Sequence, residues 1–342
     1  MTIEQIKDKL KSKEYDFLRT DKNLGDNIII LTLGGSHAYG TNNEGSDLDI
    51  RGCALNSKMQ ILTNENFEQF VNNETDTTIY AFNKLVALLS NTNPNTIEML
   101  GNKPEHYFYV SPIGQELIDN AHLFLSKRAC HSFGGYANQQ LYRLNQKAAH
   151  QMSQSELEKH ILKTLEFMQT DFTKKYTPYS DDSMKLYIDK AVQEGYDTEI
   201  FMDVNLTHYP LRDYCSMWNE LQNTVRQYGK IGKRNEKAIE HGKIAKHSMH
   251  LIRLYMMCLD ILEKERIITY RDDEHDLLMD IRNGKYLDSN DQPIPEFFEM
   301  VNDYEKRLDY AKKNTNLPDN PDYKKINEFV ASVNERVVKG EI

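Results

Sequence analysis

LTLGGSHAYGTNNEGSDLDIRG, residues Leu31–Gly52, breaks an apolar run at Gly34-Gly35-Ser36 and then sets two aspartates one residue apart. The run before the break, NIIILTL over Asn27–Leu33, is apolar and rich in β-branched residues, which predicts a buried central strand. Asp47–Leu55 predicts a second strand. Alternate residues of a strand share a face, so Asp47 and Asp49 project together while Leu48 and Ile50 turn to the core. Two carboxylates that close repel each other unless a positive charge sits between them. A divalent cation meets that need, and Mg²⁺ takes carboxylate and phosphate oxygens. The glycines let backbone N–H groups approach an anion closely. The Ser36 hydroxyl can donate to a phosphate oxygen, and a helix starting here would turn its first amides to the same charge. Gly35 and Ser36 are therefore candidates for binding a nucleotide, and Asp47 and Asp49 for holding metal.

Working outward, DTTIYAF over Asp76–Phe82 predicts a third strand, and Ile3–Phe17 an opening helix. Asn83–Leu89 predicts a helix, and Pro94 starts another that runs through Glu98. In the Asn93-Pro94-Asn95 turn the Asn side chains suit a cap, and Glu98 suits a structural role. From about residue 133 the apolar positions recur at helical spacing over 136–150, 155–176, 181–194, 210–229, 235–264, 273–282, 295–313 and 322–338. One β-like interlude, EIFMDVNL, covers 199–206. The fold class expected is α+β: a domain over 1–130 with a mixed sheet and helices, then a mainly helical domain over 131–342.

The 342 residues carry a net charge of −10, so a surface that coats duplex DNA is not expected. The four cysteines match no zinc or disulfide spacing and read as reduced thiols. Met1 is followed by a polar, charged stretch, and no apolar run approaches a membrane span of about 20 residues. A cytoplasmic protein without membrane partners is the expectation. No Gly-Lys-[Ser/Thr] follows the glycine turn, so it is not a P-loop of the Walker type. His37 and Tyr39 lie beside the turn without a paired partner in sequence, and no Ser-His-Asp or Cys-His signature is present.

Leu33-Gly34-Gly35-Ser36 and Asp47-Leu48-Asp49 resemble the signature of the DNA polymerase-beta nucleotidyltransferase superfamily. The segments DTTIYAFNKL (76–85), NPNTIEML (93–100), FGGYANQQL (133–141) and KIAKHSMHLIRL (243–254) look like the RNA repair pathway DNA polymerase beta family within it. The resemblance implies that the 1–130 domain is a polymerase-beta-like nucleotidyltransferase domain, followed by a helical region that binds nucleotide and acceptor. It implies a third acidic residue on a neighbouring strand, which helps hold the metal and can take the proton of the attacking hydroxyl. Asp76 is the candidate and Glu74, of the same parity, the alternative. The catalytic and metal set is then Asp47, Asp49 and Asp76, with two Mg²⁺ ions about 3.5–4 Å apart, or Mn²⁺ in their place. The reaction implied moves a nucleoside monophosphate from an NTP to a hydroxyl, releasing pyrophosphate. The family name points to an RNA end as acceptor, tRNA-like or other. A protein or small-molecule hydroxyl is the alternative within the class, and a non-catalytic nucleotide sensor the alternative outside it.

Further residues suit the triphosphate. Arg51 shares the parity of Asp47 and Asp49 and can either contact a phosphate or neutralise them. In GKIAKHSMHLIRLY, Lys243, Lys246, His247 and His250 form one polar stripe of a helix, while Ile244, Leu251, Ile252 and Tyr255 face a core. From Lys230 to Arg253 seven Lys or Arg stand against two Glu, a basic island in an acidic chain. In GYANQQLYRLNQK the stripe Tyr136, Gln139, Gln140, Arg143 and Lys147 offers amide and aromatic groups for a base or ribose. Arg143 is there for a phosphate.

Overall fold

The computed structural model describes residues 1–134, 137, 154–192, 197–229, 243–289 and 293–342, without the side chains at 154–157, 227–229 and 243. Its α+β architecture follows the expected class. Seven strands are present among the described residues: β1 (Ile28–Leu33), β2 (Ile50–Ala54), β3 (Gln69–Asn72), β4 (Thr77–Ala81), β5 (Tyr107–Val110), β6 (Met184–Lys190) and β7 (Thr198–Val204). The first five form one mixed sheet in the order β3-β4-β2-β1-β5. β1 pairs antiparallel with β2 and β5, β3 pairs antiparallel with β4, and β2 runs parallel to β4.

Every residue of β1 is buried, because apolar layers cover both faces of the sheet. Ile28, Leu31 and Leu33 join Ile6, Leu10, Tyr15 and Leu18 from the N-terminal segment, which forms a helix over Ile3–Leu10 and then two shorter turns rather than one helix to Phe17. A capping box at Thr2 and Gln5 fixes the start of that helix. On the opposite face Ile29, Ile30 and Cys53 pack with the Phe82–Ser90 helix and with Leu254, Met257 and Cys258 of the Lys243–Lys264 helix. Ala311, Ile326 and Val333, from the helices Pro295–Asn314 and Tyr323–Lys339, complete this core.

The chain splits into two compact units that are not continuous in sequence. One comprises Met1–Gln139, Met249–Tyr286 and Pro295–Ile342; the other comprises Gln140–Ser248 and Leu287–Ile294. The C-terminal helices thus share the core of the sheet, whereas the expected division at 130/131 sets them apart from it. Helical periodicity says which face of a helix is apolar and not which core it meets.

In the second unit Ile161, Leu165 and Phe172 of the Gln154–Lys175 helix pack with Met217 and Leu221 of the Leu211–Gly229 helix and with Met184 of β6. The expected helix over 181–194 is mainly a strand in the part described: β6 pairs antiparallel with β7, with Tyr187 opposite Phe201 and their rings stacked with centroids 5.9 Å apart. Met184, Tyr187, Ile188 and Ala191 satisfy helical spacing, while Met184, Leu186 and Ile188 satisfy alternation. The cross-strand partners Met202 and Ile200, in the segment that the sequence marked as β-like, decide between the two. The edge strands β3 and β5 carry no clear signal, being four residues each and only partly buried. The expected helix over 136–150 and the first part of 235–264 lie outside the described residues.

Candidate active site

Three strand ends meet at one edge of the five-stranded sheet. β1 leaves it at Leu33 opposite Ile50, and the Gly34 amide still donates to the Asp49 carbonyl at 2.9 Å. β2 and β4 both enter the sheet there, Ile50 beside Thr77, and the Ile50 amide donates to the Asp76 carbonyl at 3.2 Å. The parallel register therefore sets Asp49 and Asp76, each one residue before its strand, next to each other. The strand expected from Asp47 begins only at Ile50, yet the alternation holds without it: Asp47 is exposed, Leu48 buried, Asp49 half-buried and Ile50 buried.

Arg51 ties the two acids together. Its Nη2 lies 3.1 Å from Asp49 Oδ1 and 3.3 Å from Asp76 Oδ1, and its Nη1 donates to the Asp76 carbonyl at 2.6 Å. The carboxylates that Arg51 meets are thus Asp49 and Asp76, not the expected pair Asp47 and Asp49. The same bridge distinguishes Asp76 from Glu74, which sits exposed in the β3–β4 turn with its amide on Asn72 Oδ1. Asp76 adopts a positive φ of 45°, a conformation that few residues other than glycine take, with Asp among them.

The glycine turn is shaped by Asp49. Gly35 has φ +57°, and a Cβ on it would fall 1.8 Å from Asp49 Oδ2. A Cβ on Gly34 would meet Arg51 Cγ at 2.7 Å. The helix that follows, Gly35–Tyr39, is too short to act through a macrodipole and serves to turn the chain. Gly35→Ala should cost about 1–3 kcal/mol in strain and push the Asp49 carboxylate aside. Urea denaturation and a transfer assay check this, with activity expected to fall about 10²-fold from misplacement alone.

Beneath the turn lies a buried polar cluster. Tyr39 donates to Glu98 Oε2 at 2.5 Å, and Arg253 Nη1 lies 3.4 Å from the same oxygen. The guanidinium carbon stacks 3.6 Å from the centre of the Tyr39 ring, and Nη2 meets His250 Nδ1 at 3.1 Å. Burial pushes Tyr39 and Glu98 above their ordinary values, and Arg253 draws both back down. Asp49 adds to the rise at Tyr39, and Arg51 offsets that at Glu98, so the cluster and the acidic edge feel each other. Sequence reading gave Glu98 a structural role and passed over Arg253. The available signal was a charge four residues from Met249 and Met257, both buried.

His37 is buried, and burial holds it below its ordinary 6.5. A histidine whose folded value is depressed contributes stability above pH 6.5 that is lost as the pH falls below it. His106, also lowered by burial, acts in the same direction. The urea midpoint should therefore drop as the pH falls below 6.5, and His37→Asn should flatten part of that slope.

The sequence candidates on the Lys243–Lys264 helix divide. Ile244, Leu251, Ile252 and Tyr255 are buried, as the periodicity requires. His250 belongs to the first unit and meets Arg253. Lys246, exposed, and His247, half-buried, belong to the second. Arg143, the Lys243 side chain and the basic stretch 230–242 lie outside the described residues.

The acids are oxygen donors of the kind that Mg²⁺ takes, and the glycine at 35 keeps side-chain atoms off one side of Asp49. Among the described residues no group of three or more His, Cys, Asp or Glu is placed to hold a metal ion. The positive charge between Asp49 and Asp76 is the Arg51 guanidinium.

Residues 4–332 match the RNA repair pathway DNA polymerase beta family. The chain belongs to that family. The family name points to a polymerase-beta-like nucleotidyltransferase in an RNA repair pathway. No curated protein and no solved structure is similar enough to count as a match. No helix among the described residues is long and apolar enough to cross a membrane.

Proposed function

We propose that this member of the RNA repair pathway DNA polymerase beta family transfers a nucleoside monophosphate from an NTP to a hydroxyl at an RNA end. The observation that carries the reading is the juxtaposition of Asp49 and Asp76, through the β2–β4 register, with the Asp49 carboxylate packed on the Gly34-Gly35 turn. Asp47 and Asp49, with Asp76, would hold Mg²⁺. When bound, the metal withdraws charge from the α-phosphate and lowers the pKa of the attacking hydroxyl. The Gly35 and Ser36 amides and the Ser36 hydroxyl bind the phosphate chain. Arg51 keeps Asp49 and Asp76 at hydrogen-bonding distance from one guanidinium, which fixes the carboxylates before substrate arrives. The acceptor oxygen forms a bond to the α-phosphorus, the bond from that phosphorus to the bridging oxygen breaks, and pyrophosphate carries away the electron pair. Asp76, the more exposed acid at 54% of its side chain against 19% for Asp49, takes the proton of the hydroxyl.

Incubation with each α-labelled NTP, MgCl₂ and total RNA tests the reading. Labelled RNA with stoichiometric pyrophosphate is the expected result. Label on protein or on a small molecule instead would move the acceptor to the other branch of the class. No label with any NTP would sink the enzyme reading.

A further inference from the structure

The helix His275–Arg282 ends on an arginine without a counter-ion among the described residues. Arg51, Arg253, Arg271, Arg307 and Arg336 each meet a carboxylate, at Asp49, Glu98, Asp260, Glu263 and Glu116 respectively. Arg282 meets none among the described residues. Its Nη2 donates to Ser46 Oγ at 3.0 Å, and its Nη1 is buried with no hydrogen-bond partner. Burial works against its charge, and no neighbouring acid offsets that.

Ser46 immediately precedes Asp47, and its hydroxyl is already saturated. It donates to Asn43 Oδ1 at 2.9 Å and accepts from the Asn43 amide at 2.9 Å as well as from Arg282. Arg282 also lies near enough to the His37 ring, next in chain to Ser36, for its charge to lower the pKa of that imidazole. The guanidinium therefore lies where the glycine turn and the acidic stretch come together. A guanidinium fork with free donors and no acid suits an anion that binds there, and phosphate oxygens match it in pairs.

The geometry points to Arg282 as a ligand of the polyphosphate: its free donors bind the oxygens of the β- and γ-phosphates while Nη2 stays on Ser46. This rests on the nucleotidyl-transfer reading and adds to it a cation from a distant part of the chain. It also assigns specificity, since a nucleoside monophosphate would gain nothing from Arg282.

Isothermal titration of the full chain with magnesium tripolyphosphate tests the assignment. Arg282→Gln should weaken binding about 10–100-fold, the size of a lost charged hydrogen-bond pair. Arg282→Lys keeps the charge without the fork and should lose about 3–10-fold. Ser46→Ala should bind within about 3-fold of the wild type, because it removes only the strut. Unchanged binding by Arg282→Gln overturns the proposal. So does a loss in Ser46→Ala as large as in Arg282→Gln, which would make Arg282 a positioning residue for the Ser46–Asp47 stretch. Should Arg282→Gln not fold, Arg282→Lys decides, and wild-type affinity there overturns the proposal. Failure of the wild type to bind tripolyphosphate overturns it as well. The labelled-NTP assay separates that outcome from failure of the enzyme reading: transfer without tripolyphosphate binding leaves the enzyme standing and removes Arg282.

Discussion

Asp49→Asn is expected to lower nucleotidyl transfer about 10²–10⁴-fold, a barrier increase of about 3–5 kcal/mol. The substitution keeps the shape of the side chain and an oxygen for Arg51 Nη2, now 3.1 Å away. The backbone bond from Gly34 to the Asp49 carbonyl does not depend on the side chain. What disappears is the negative charge packed against Gly35, where a cation and the phosphate chain would be held. Stability should fall by about 1–3 kcal/mol, since Asp49 and Arg51 are both only 19% exposed and Asp76 remains as the carboxylate partner of Arg51. Transfer of α-labelled NTP, read beside the urea midpoint, separates the two effects. A folded Asp49→Asn protein with full activity would remove Asp49 from the machinery.

Glu98→Gln should have the largest effect on stability, about 3–5 kcal/mol. Arg253 is 1% exposed and cannot shed its charge, so loss of the carboxylate leaves a buried cation. The reverse substitution should cost less. In Arg253→Met the buried Glu98 can take up a proton, the form that burial already favours. A carboxyl whose folded pKa is raised supports the fold at low pH and loses that support as the pH rises through its folded value. Arg253→Met should therefore gain stability on acidification through the carboxylate range, whereas Glu98→Gln should not. Urea denaturation of both variants across pH 4–8, about the range over which such groups titrate, measures the asymmetry. Equal losses with equal pH profiles would show that the ion pair is not what holds the cluster.

The long periodic helices and the buried strand β1 are legible from sequence, because burial on one face or on two leaves a direct mark in the order of residues. β6 is not, since Met184, Tyr187 and Ile188 fit a helix as well as Met184, Leu186 and Ile188 fit a strand, until Met202 and Ile200 are seen opposite Leu186 and Ile188. In the candidate site, the opening stretch shows the glycine turn and the aspartate pair. It does not show that Arg51 would spend its guanidinium on Asp49 and Asp76. Nor does it show that Arg253 and Arg282, more than 200 residues further along the chain, would arrive beside Tyr39 and Ser46.

Local order alone determined the strand–turn–strand unit: β-branched residues extend the chain, glycines bend it, and alternation sends Asp47 and Asp49 to the same side. Tertiary structure decided that Asp76 stands beside Asp49 and that Arg51 bridges the two, with Arg253 and Arg282 nearby in the fold. Those depend on the parallel pairing of β2 with β4 and on helices packing back onto the sheet. Such contacts are fixed by burial summed over the whole core, and no single segment records them.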